Sequence, residues 1–133
     1  MRPESRHLSV VIERPADIVY EYAADPANLP TWAAGLANAA LEKTEEGWVA
    51  DSPMGRVVVN FVERNDFGVV DHVVTLESGE RVYNPLRVVP YGEDCEVVFT
   101  VRQRPAISTD EFTRDAAAVA ADLDTLKRVL ESR

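Results

Sequence analysis

The order of segments along this chain limits what it can fold into more than any other feature of the sequence. A short alternating segment comes first, two short helical segments follow, and a long run of strand-and-turn pattern leads to one amphipathic helix. Because the turns of this run are too short to hold crossover helices, neighbouring strands must pair antiparallel. A long antiparallel sheet can curl around a final helix, and this order therefore predicts a cavity between the two.

Turn-forming residues divide the strand-rich region at regular intervals. They cluster at 45–47, 52–55, 65–68, 78–79 and 91–94. Together with the alternating segment 6–13, they predict an α+β protein with a seven-stranded antiparallel sheet. The six strands predicted after the first are 39–44, 47–52, 56–64, 69–77, 80–90 and 94–103.

Helix signals flank the sheet on both sides. Pro15 suits the first turn of a helix, where its missing N–H is not needed, and helices are predicted over 16–24 and 27–36. The final helix is predicted over Thr109–Glu131, because Ser108 and Glu111 have the spacing of a capping box. Its apolar stripe should face the sheet, with Asp115 and Asp122 on the far side.

Length and charge narrow the functional classes. A chain of 133 residues is expected to form one domain, 1–133. Its net charge of -9 argues against nucleic acid and against an anionic membrane surface as partners. No apolar stretch reaches the roughly 20 residues that span a bilayer, so no membrane insertion is expected. The single cysteine and the lack of a signal peptide predict a cytoplasmic protein.

Strand alternation predicts which side chains line the cavity. Successive residues of a strand point to opposite faces, so every second residue of the inner strands should face the final helix. Apolar walls with a few polar points are typical of a site for a small hydrophobic molecule. The residues predicted to form this site are Trp32, Val59, Phe61, His72, Val74, Asn84, Leu86, Phe99, Phe112 and Val119.

Three polar side chains fall on the predicted inner face of the sheet, those of His72, Asn84 and Cys95. No arginine is predicted there. His72 is the candidate catalytic residue, because burial lowers the pKa of an imidazole and leaves it neutral, able to act as a base or to bond a carbonyl. The alternative is a core histidine whose ring is bonded to a neighbouring backbone or side-chain group. Asn84 either orients a ligand or marks a bulge beside Pro85. Cys95 is expected to be buried and inert, and Asp71 should point away from His72.

Metal and cofactor motifs are missing from the sequence. The two histidines, His7 and His72, are predicted on opposite faces of different strands, and no paired cysteine or histidine spacing suits a metal. The glycines are scattered singly, without a phosphate loop or a dinucleotide fingerprint. We therefore predict neither a metal nor a cofactor.

Several motifs resemble those of one known superfamily. Residues 13–22, ERPADIVYEY, followed by Asp25-Pro26 and the run LPTW at 29–32, resemble the N-terminal signature of the SRPBCC superfamily. This superfamily includes START lipid-transfer domains, birch-pollen-allergen-type proteins and bacterial polyketide cyclase/dehydrase-like proteins. The segments DHVVTL at 71–76, PLRV at 85–88 and EVVFT at 96–100 are similar to small bacterial members. The resemblance implies a helix-grip fold, in which the antiparallel sheet curls around the C-terminal helix.

Three functions remain open at the level of sequence. The first is the binding of a small hydrophobic ligand, such as a lipid, a polyketide or another apolar metabolite. The second is an enzyme of the polyketide cyclase/dehydrase kind, a class that the resemblance includes. In that case the predicted inner face, rather than the resemblance, suggests His72 as the general base and Asn84 as the group that holds an enolate oxygen. The third is a protein-interaction module, and a homodimer is compatible with all three.

Overall fold

The computed structural model describes residues 4–34, 36–37 and 40–133. Its eight strands are β1 (Ser5–Ile12), β2 (Glu42–Thr44), β3 (Gly47–Ser52), β4 (Gly55–Phe61), β5 (His72–Thr75), β6 (Arg81–Asn84), β7 (Leu86–Tyr91) and β8 (Asp94–Arg102). Its helices are α1 (Ala16–Ala23), α2 (Leu29–Trp32) and α3 (Thr109–Glu131), and a 3₁₀ turn (Pro26–Asn28) precedes α2.

The strands form one curled surface made of two antiparallel sheets. One sheet has the order β1-β8-β7 and the other the order β2-β3-β4-β5-β6. A bridge between Val69 and Arg87 joins them. Helix α3 packs against β1 and β8. This is the helix-grip fold, and the predicted α+β architecture is confirmed.

The described strands number eight rather than the predicted seven, because the segment 80–90 is interrupted at Pro85. Proline has no N–H to donate to a neighbouring strand, and the Pro85 carbonyl instead accepts from the Thr100 N–H at 3.0 Å. The register is the same on both sides of the interruption, since His72 lies opposite Asn84 and Val69 lies opposite Arg87. The predicted strand 69–77 is shortened to β5 at its start by the same interruption. At its end it is shortened by the turn in which the Gly79 N–H donates to the Leu76 carbonyl at 2.9 Å.

Prolines and side-chain turns explain the other differences in boundaries. The predicted helix 27–36 is reduced to the 3₁₀ turn and the single turn of α2, which contains Pro30. Strand β4 ends at Phe61 rather than at residue 64, and the side chain of Asn65 closes the following turn by accepting the Val69 N–H at 3.1 Å. Gly35 of the predicted helix and Ala39 of the predicted strand 39–44 lie outside the described residues.

Helix α3 has the predicted bounds and is fixed at both ends. The Ser108 hydroxyl accepts the Glu111 N–H at 3.1 Å, as the capping box predicts. At the other end, the Arg14 guanidinium donates to the Glu131 carbonyl at 3.0 Å, and the Lys127 ammonium donates to a main-chain oxygen of β1 at 2.7 Å. The helix is therefore held across the concave side of the sheet. Its buried stripe consists of Phe112, Ala116, Leu123, Leu126 and Leu130.

Candidate functional site

A cavity of about 430 Å³ lies between α2, α3 and the strands β4 to β8. Its inner part is formed by buried side chains, among them Leu29, Val74 and Leu123. Exposed side chains such as Met54 form another part of its wall, which we take as the mouth. The volume falls within the roughly 300–1,000 Å³ that is typical of small-molecule sites.

Most of the residues predicted for the site meet at this cavity. Those that line it are Trp32, Phe61, His72, Val74, Asn84, Leu86, Phe99 and Val119. Val59 does not, because it is fully buried between its strand neighbours Trp48 and Val74. Phe112 does not either, since its buried ring lies beneath the Arg6 guanidinium, whose carbon is 4.9 Å from the ring centroid.

His72 is buried in the cavity wall with one ring nitrogen engaged. Only 4% of the residue is exposed. Its Nδ1 lies 3.1 Å from the Val70 carbonyl oxygen, which can only accept, so Nδ1 carries the proton and Nε2 holds the lone pair. In the described part of the chain no hydrogen bond reaches Nε2. Burial lowers the pKa of His72, an effect that the Val70 bond and the Asp71 charge only partly offset, and the ring is neutral near pH 7.

His72 belongs to a row of side chains across three strands. Phe61 of β4 and Asn84 of β6 lie directly opposite it on either side. Directly opposed residues have Cβ atoms roughly 4.5–5.5 Å apart on one face of the sheet. The Phe61 ring centroid is 5.1 Å from that of His72, and Phe99 contacts the imidazole edge to face at 6.0 Å. The imidazole and the Asn84 amide therefore stand side by side in an aromatic surround.

The mouth of the cavity carries charges that the sequence analysis did not predict. Arg102, Arg104 and Arg114 line it, which corrects the expectation that no arginine does. Asp115 and Asp122 also line it, although they were predicted on the far side of the final helix. Their spacing with Val119, four and then three residues, places all three on one side of a helix. This spacing could have placed both aspartates on the cavity side of α3. It was overlooked because the apolar stripe of the helix was used to define the side that faces the sheet.

The carboxyl group of Asp115 is perturbed by its position at the mouth. Partial burial raises its pKa, and the nearby Glu111 adds to the effect, while Arg104 and Arg114 act in the opposite direction. Arg104 donates to a Glu80 carboxylate oxygen at 2.8 Å. Arg102 and Arg114 take part in no ion pair among the described residues. The mouth thus presents two arginines that are available to a ligand.

Trp32 contributes an unpaired indole N–H to the wall of the cavity, as judged from the described residues. The residue lines the cavity and is only 3% exposed. Its indole N–H is buried and has no acceptor within the described ranges. Buried donors are nearly always paired in folded proteins, so this one is exceptional.

Asp71, the neighbour of His72 in sequence, is a buried carboxylate. It points away from His72 as predicted, yet it is only 1% exposed. Arg87 donates to both of its oxygens at 2.8 Å, Tyr83 donates its hydroxyl at 2.6 Å, and Leu86 donates its N–H at 2.9 Å. Burial by itself raises the pKa of Asp71, but these bonds outweigh it and lower the pKa to about 2. The carboxylate fills the place where Pro85 interrupts the ladder.

Cys95 lies apart from the cavity, although it was predicted to face it. It is completely buried on β8, between Ile12 of β1 and Pro90 of β7, and burial raises the pKa of its thiol to about 11. A thiol with that pKa is not a nucleophile near neutral pH.

Neither a membrane-spanning helix nor a cluster of metal ligands occurs among the described residues. None of the helices there combines the length and the apolar character that crossing a bilayer requires. No group of three or more histidine, cysteine or acidic side chains in the same ranges is placed to hold a metal ion.

Similar solved structures come from bacteria and plants. An uncharacterised Bacillus thuringiensis protein has a TM-score of 0.73 at 13% identity, covering 95% of this chain and 98% of the other. An aromatase/cyclase from Streptomyces sp. R1128 has a TM-score of 0.72 at 17% identity, covering 99% and 96%. A truncated norcoclaurine synthase from Thalictrum flavum has a TM-score of 0.68 at 16% identity, covering 99% and 96%. At these identities the likeness establishes the fold alone.

Two sequence comparisons give different outcomes. No curated protein matches the chain. A family profile, in contrast, matches residues 5–131. The chain therefore belongs to the family described as polyketide cyclase / dehydrase and lipid transport.

Proposed function

We propose that the protein binds a small hydrophobic molecule in the cavity between the sheet and α3. The observation that carries the proposal is the 430 Å³ cavity itself, whose walls are mostly apolar and whose polar points are few. A lipid, a polyketide or another apolar metabolite fits such a site. Binding removes apolar surface from water at both the ligand and the wall, which is the main source of affinity in sites of this kind.

His72 and Asn84 orient the ligand within this apolar surround. They are opposite each other on β5 and β6, and neither the Nε2 atom of His72 nor the Asn84 amide has a partner in the described part of the chain. A ligand carbonyl or hydroxyl placed beside them completes their hydrogen bonding. The wall is supplied by Trp32, Phe61, Val74, Leu86, Phe99 and Val119.

Native mass spectrometry of protein purified from its own host is the direct test. We expect a small molecule bound near one to one, which organic extraction then identifies by chemical class. A dye such as anilinonaphthalene sulfonate gives an independent test, because its fluorescence increases in apolar sites. Protein that carries no molecule and binds no dye would contradict the proposal.

Two neighbouring alanines of α3 provide a matched pair of variants for the dye. Both are exposed, but Ala118 lines the cavity and Ala117 does not. We expect Ala118→Phe to narrow the cavity and to weaken dye binding by roughly tenfold, which corresponds to about 1.4 kcal/mol. Ala117→Phe should bind as the wild type does. Equal binding by both variants would place the dye elsewhere.

A second candidate function is catalysis of the polyketide cyclase type. The observation that favours it is the tautomer of His72, because Nδ1–H donates to Val70 and leaves a basic Nε2. Nε2 takes the proton from an acidic C–H, and the electron pair left on carbon moves to the adjacent carbonyl oxygen as an enolate. The Asn84 amide donates to that oxygen. Family membership supports this candidate without choosing between it and simple binding.

Exchange of C–H for deuterium separates the two candidates. A dialkyl 1,3-diketone can be incubated in heavy water with wild-type protein and with His72→Gln. An enzyme of this kind should accelerate exchange at the carbon between the two carbonyls, and His72→Gln should lose the acceleration while still binding the dye. Equal exchange rates would leave binding as the function.

Three further properties are proposed from the sequence. A homodimer, a protein-interaction role and a cytoplasmic location are all compatible with a ligand-binding fold. Light scattering of the purified protein at several concentrations tests the dimer, and fractionation of the host tests the location.

A further inference from the structure

We propose that two copies of this chain associate through the convex side of the β1-β8-β7 sheet. Burial alternates along these strands, so Ile12, Val88 and Val97 face the core and their neighbours point away from it. The inference names a surface for the proposed homodimer and does not depend on the ligand-binding function. The outward side chains that define this convex face are Val11, Arg87, Val89, Tyr91, Glu96 and Val98.

The pairing of the strands brings the apolar members of the convex face together. Val11 and Val89 lie on either side of Glu96, so these three side chains form one row across the sheet. Arg87 and Val98 are paired in the next row. Each charged side chain of the convex face therefore has an apolar neighbour on the adjacent strand.

Phe67 adds an aromatic ring at the edge of the convex face. The turn that carries it lies against β7, because the Val88 N–H donates to the Gly68 carbonyl at 2.8 Å. Phe67 is 84% exposed, more than any other large apolar side chain among the described residues. Single exposed apolar residues are ordinary, whereas a cluster of them indicates a contact with another protein. The structure describes eight exposed side chains of this kind, and four of them are here: Val11, Phe67, Val89 and Tyr91.

The charges of the convex face favour a second copy as the partner. Glu96 takes part in no ion pair among the described residues. Arg87 donates to Asp71 from Nε and Nη2, which leaves its Nη1 unused, and its side chain is half exposed. In a two-fold contact the same surface meets itself, so Glu96 of one copy can pair with Arg87 of the other. A partner of a single charge sign would leave one of the two unpaired.

The size of the convex face agrees with a weak dimer. Strand β8 has nine residues, which span about 30 Å at the rise of a strand. The three strands of this sheet and the adjoining turn are about 19 Å wide. The face thus covers roughly 600 Å² per copy, or about 1,200 Å² for the pair, which is the lower limit of specific interfaces. Because the cavity lies on the opposite, concave side, both mouths stay open in such a dimer.

Sedimentation equilibrium of the full chain tests the association. We expect the mean mass to rise from 14.8 kDa toward twice that value as the protein concentration increases from about 10 µM to about 1 mM. About 0.15 M salt is used throughout, so that repulsion between the net charges of -9 is largely screened. Protein that stays monomeric up to about 1 mM would overturn the inference.

Two serine variants test the apolar part of the contact. Phe67→Ser removes the most exposed ring and should weaken the association by at least about tenfold, because aromatic anchors carry much of the binding energy of an interface. Ile18→Ser is the matched control, since Ile18 is 50% exposed but lies on α1, outside the convex face. Equal association of the two variants would overturn the assignment of the surface. Both should bind the dye as the wild type does, because neither residue lines the cavity, so a failure of the binding function is seen separately.

Two charge reversals test the ionic part of the contact. Glu96→Arg brings like charges together across the dimer and should weaken the association by at least about tenfold. Glu46→Arg changes the net charge by the same amount, in the turn between β2 and β3, and should associate as the wild type does. Far-ultraviolet circular dichroism confirms that each variant is folded. If Glu96→Arg associates as strongly as Glu46→Arg, the pair of Glu96 with Arg87 is absent and the two-fold arrangement is overturned.

Discussion

Asp71 and His72 are neighbours in sequence, both buried and both titratable, and they differ in how completely their bonds are satisfied. Asp71 accepts from Arg87, Tyr83 and Leu86. His72 has one hydrogen bond, from Nδ1, and apolar rings on two sides. Strand alternation sends them to opposite faces, one into the gap beside Pro85 and the other into the cavity.

This difference in hydrogen bonding shows which kind of buried polar group indicates a ligand site. A carboxylate with every oxygen bonded has nothing left for a ligand, so Asp71 serves the fold. An imidazole on a cavity wall whose Nε2 lone pair is unused can still accept a hydrogen bond or a proton from a ligand, so His72 is the candidate for function. Burial and a shifted pKa are shared by both residues and do not distinguish them.

The largest expected effect comes from removing the satisfied group. Asp71→Ala should lower the free energy of unfolding by about 2–4 kcal/mol, because the buried Leu86 N–H loses its acceptor and the charge of Arg87 loses its partner. Urea denaturation followed by tryptophan fluorescence measures it. Asp51→Ala is the control, since Asp51 is exposed on β3 and should change stability by less than about 0.5 kcal/mol. Equal effects of the two variants would contradict a structural role for Asp71.

Acidification should remove the stabilisation by the Asp71 carboxylate without any mutation. The folded pKa of Asp71 is about 2, below its ordinary value of 3.8. Its stabilisation is therefore complete above the unfolded value and is lost as the pH falls from about 4 toward 2. The loss amounts to about 2 kcal/mol. Urea midpoints at several acidic pH values measure it, and Asp71→Asn should lack this part of the pH dependence.

His72 should make stability depend on pH in a higher range. Burial lowers its folded pKa, so below its ordinary value of 6.5 the unfolded chain takes up a proton that the folded protein does not. Stability should then fall with acidification below that pH, by at most about 1.4 kcal/mol per pH unit. His72→Gln removes the slope between pH 6.5 and the folded pKa. A slope unchanged in this variant would show that the imidazole is not held neutral.

The smallest effect on stability is expected at the mouth of the cavity. Arg114→Gln should alter the unfolding free energy by less than about 0.5 kcal/mol, because Arg114 is exposed and in no ion pair among the described residues. Binding of a carboxylate probe should nevertheless weaken at low salt, and the difference should shrink at high salt, where charges are screened. Arg128→Gln, on the same helix and away from the lining, is the control. Salt-independent binding in the wild type would show that the mouth does not attract the acid.

Much of the fold followed from local patterns. Strand β3 and helix α3 have the predicted bounds, because turn residues and a capping box act within a few positions. The wall of the cavity was also largely predictable, since alternation decides which side of a strand faces inward. The predicted boundaries were wrong where a proline interrupts a longer strand or helix pattern, as Pro85 does between β6 and β7 and Pro30 does in α2.

What the sequence by itself determined is the order of elements and the apolar inner face, because both depend on neighbours along the chain. Only the tertiary structure decided that Asp71 is buried and bonded, since its partners Tyr83, Leu86 and Arg87 come from across the sheet. The same holds for the mouth, where the arginines of β8 and its following turn meet the aspartates of α3. A carboxylate in an alternating pattern looks solvent-exposed until its partners are known, because desolvation and pairing are set by contacts that no local spacing records.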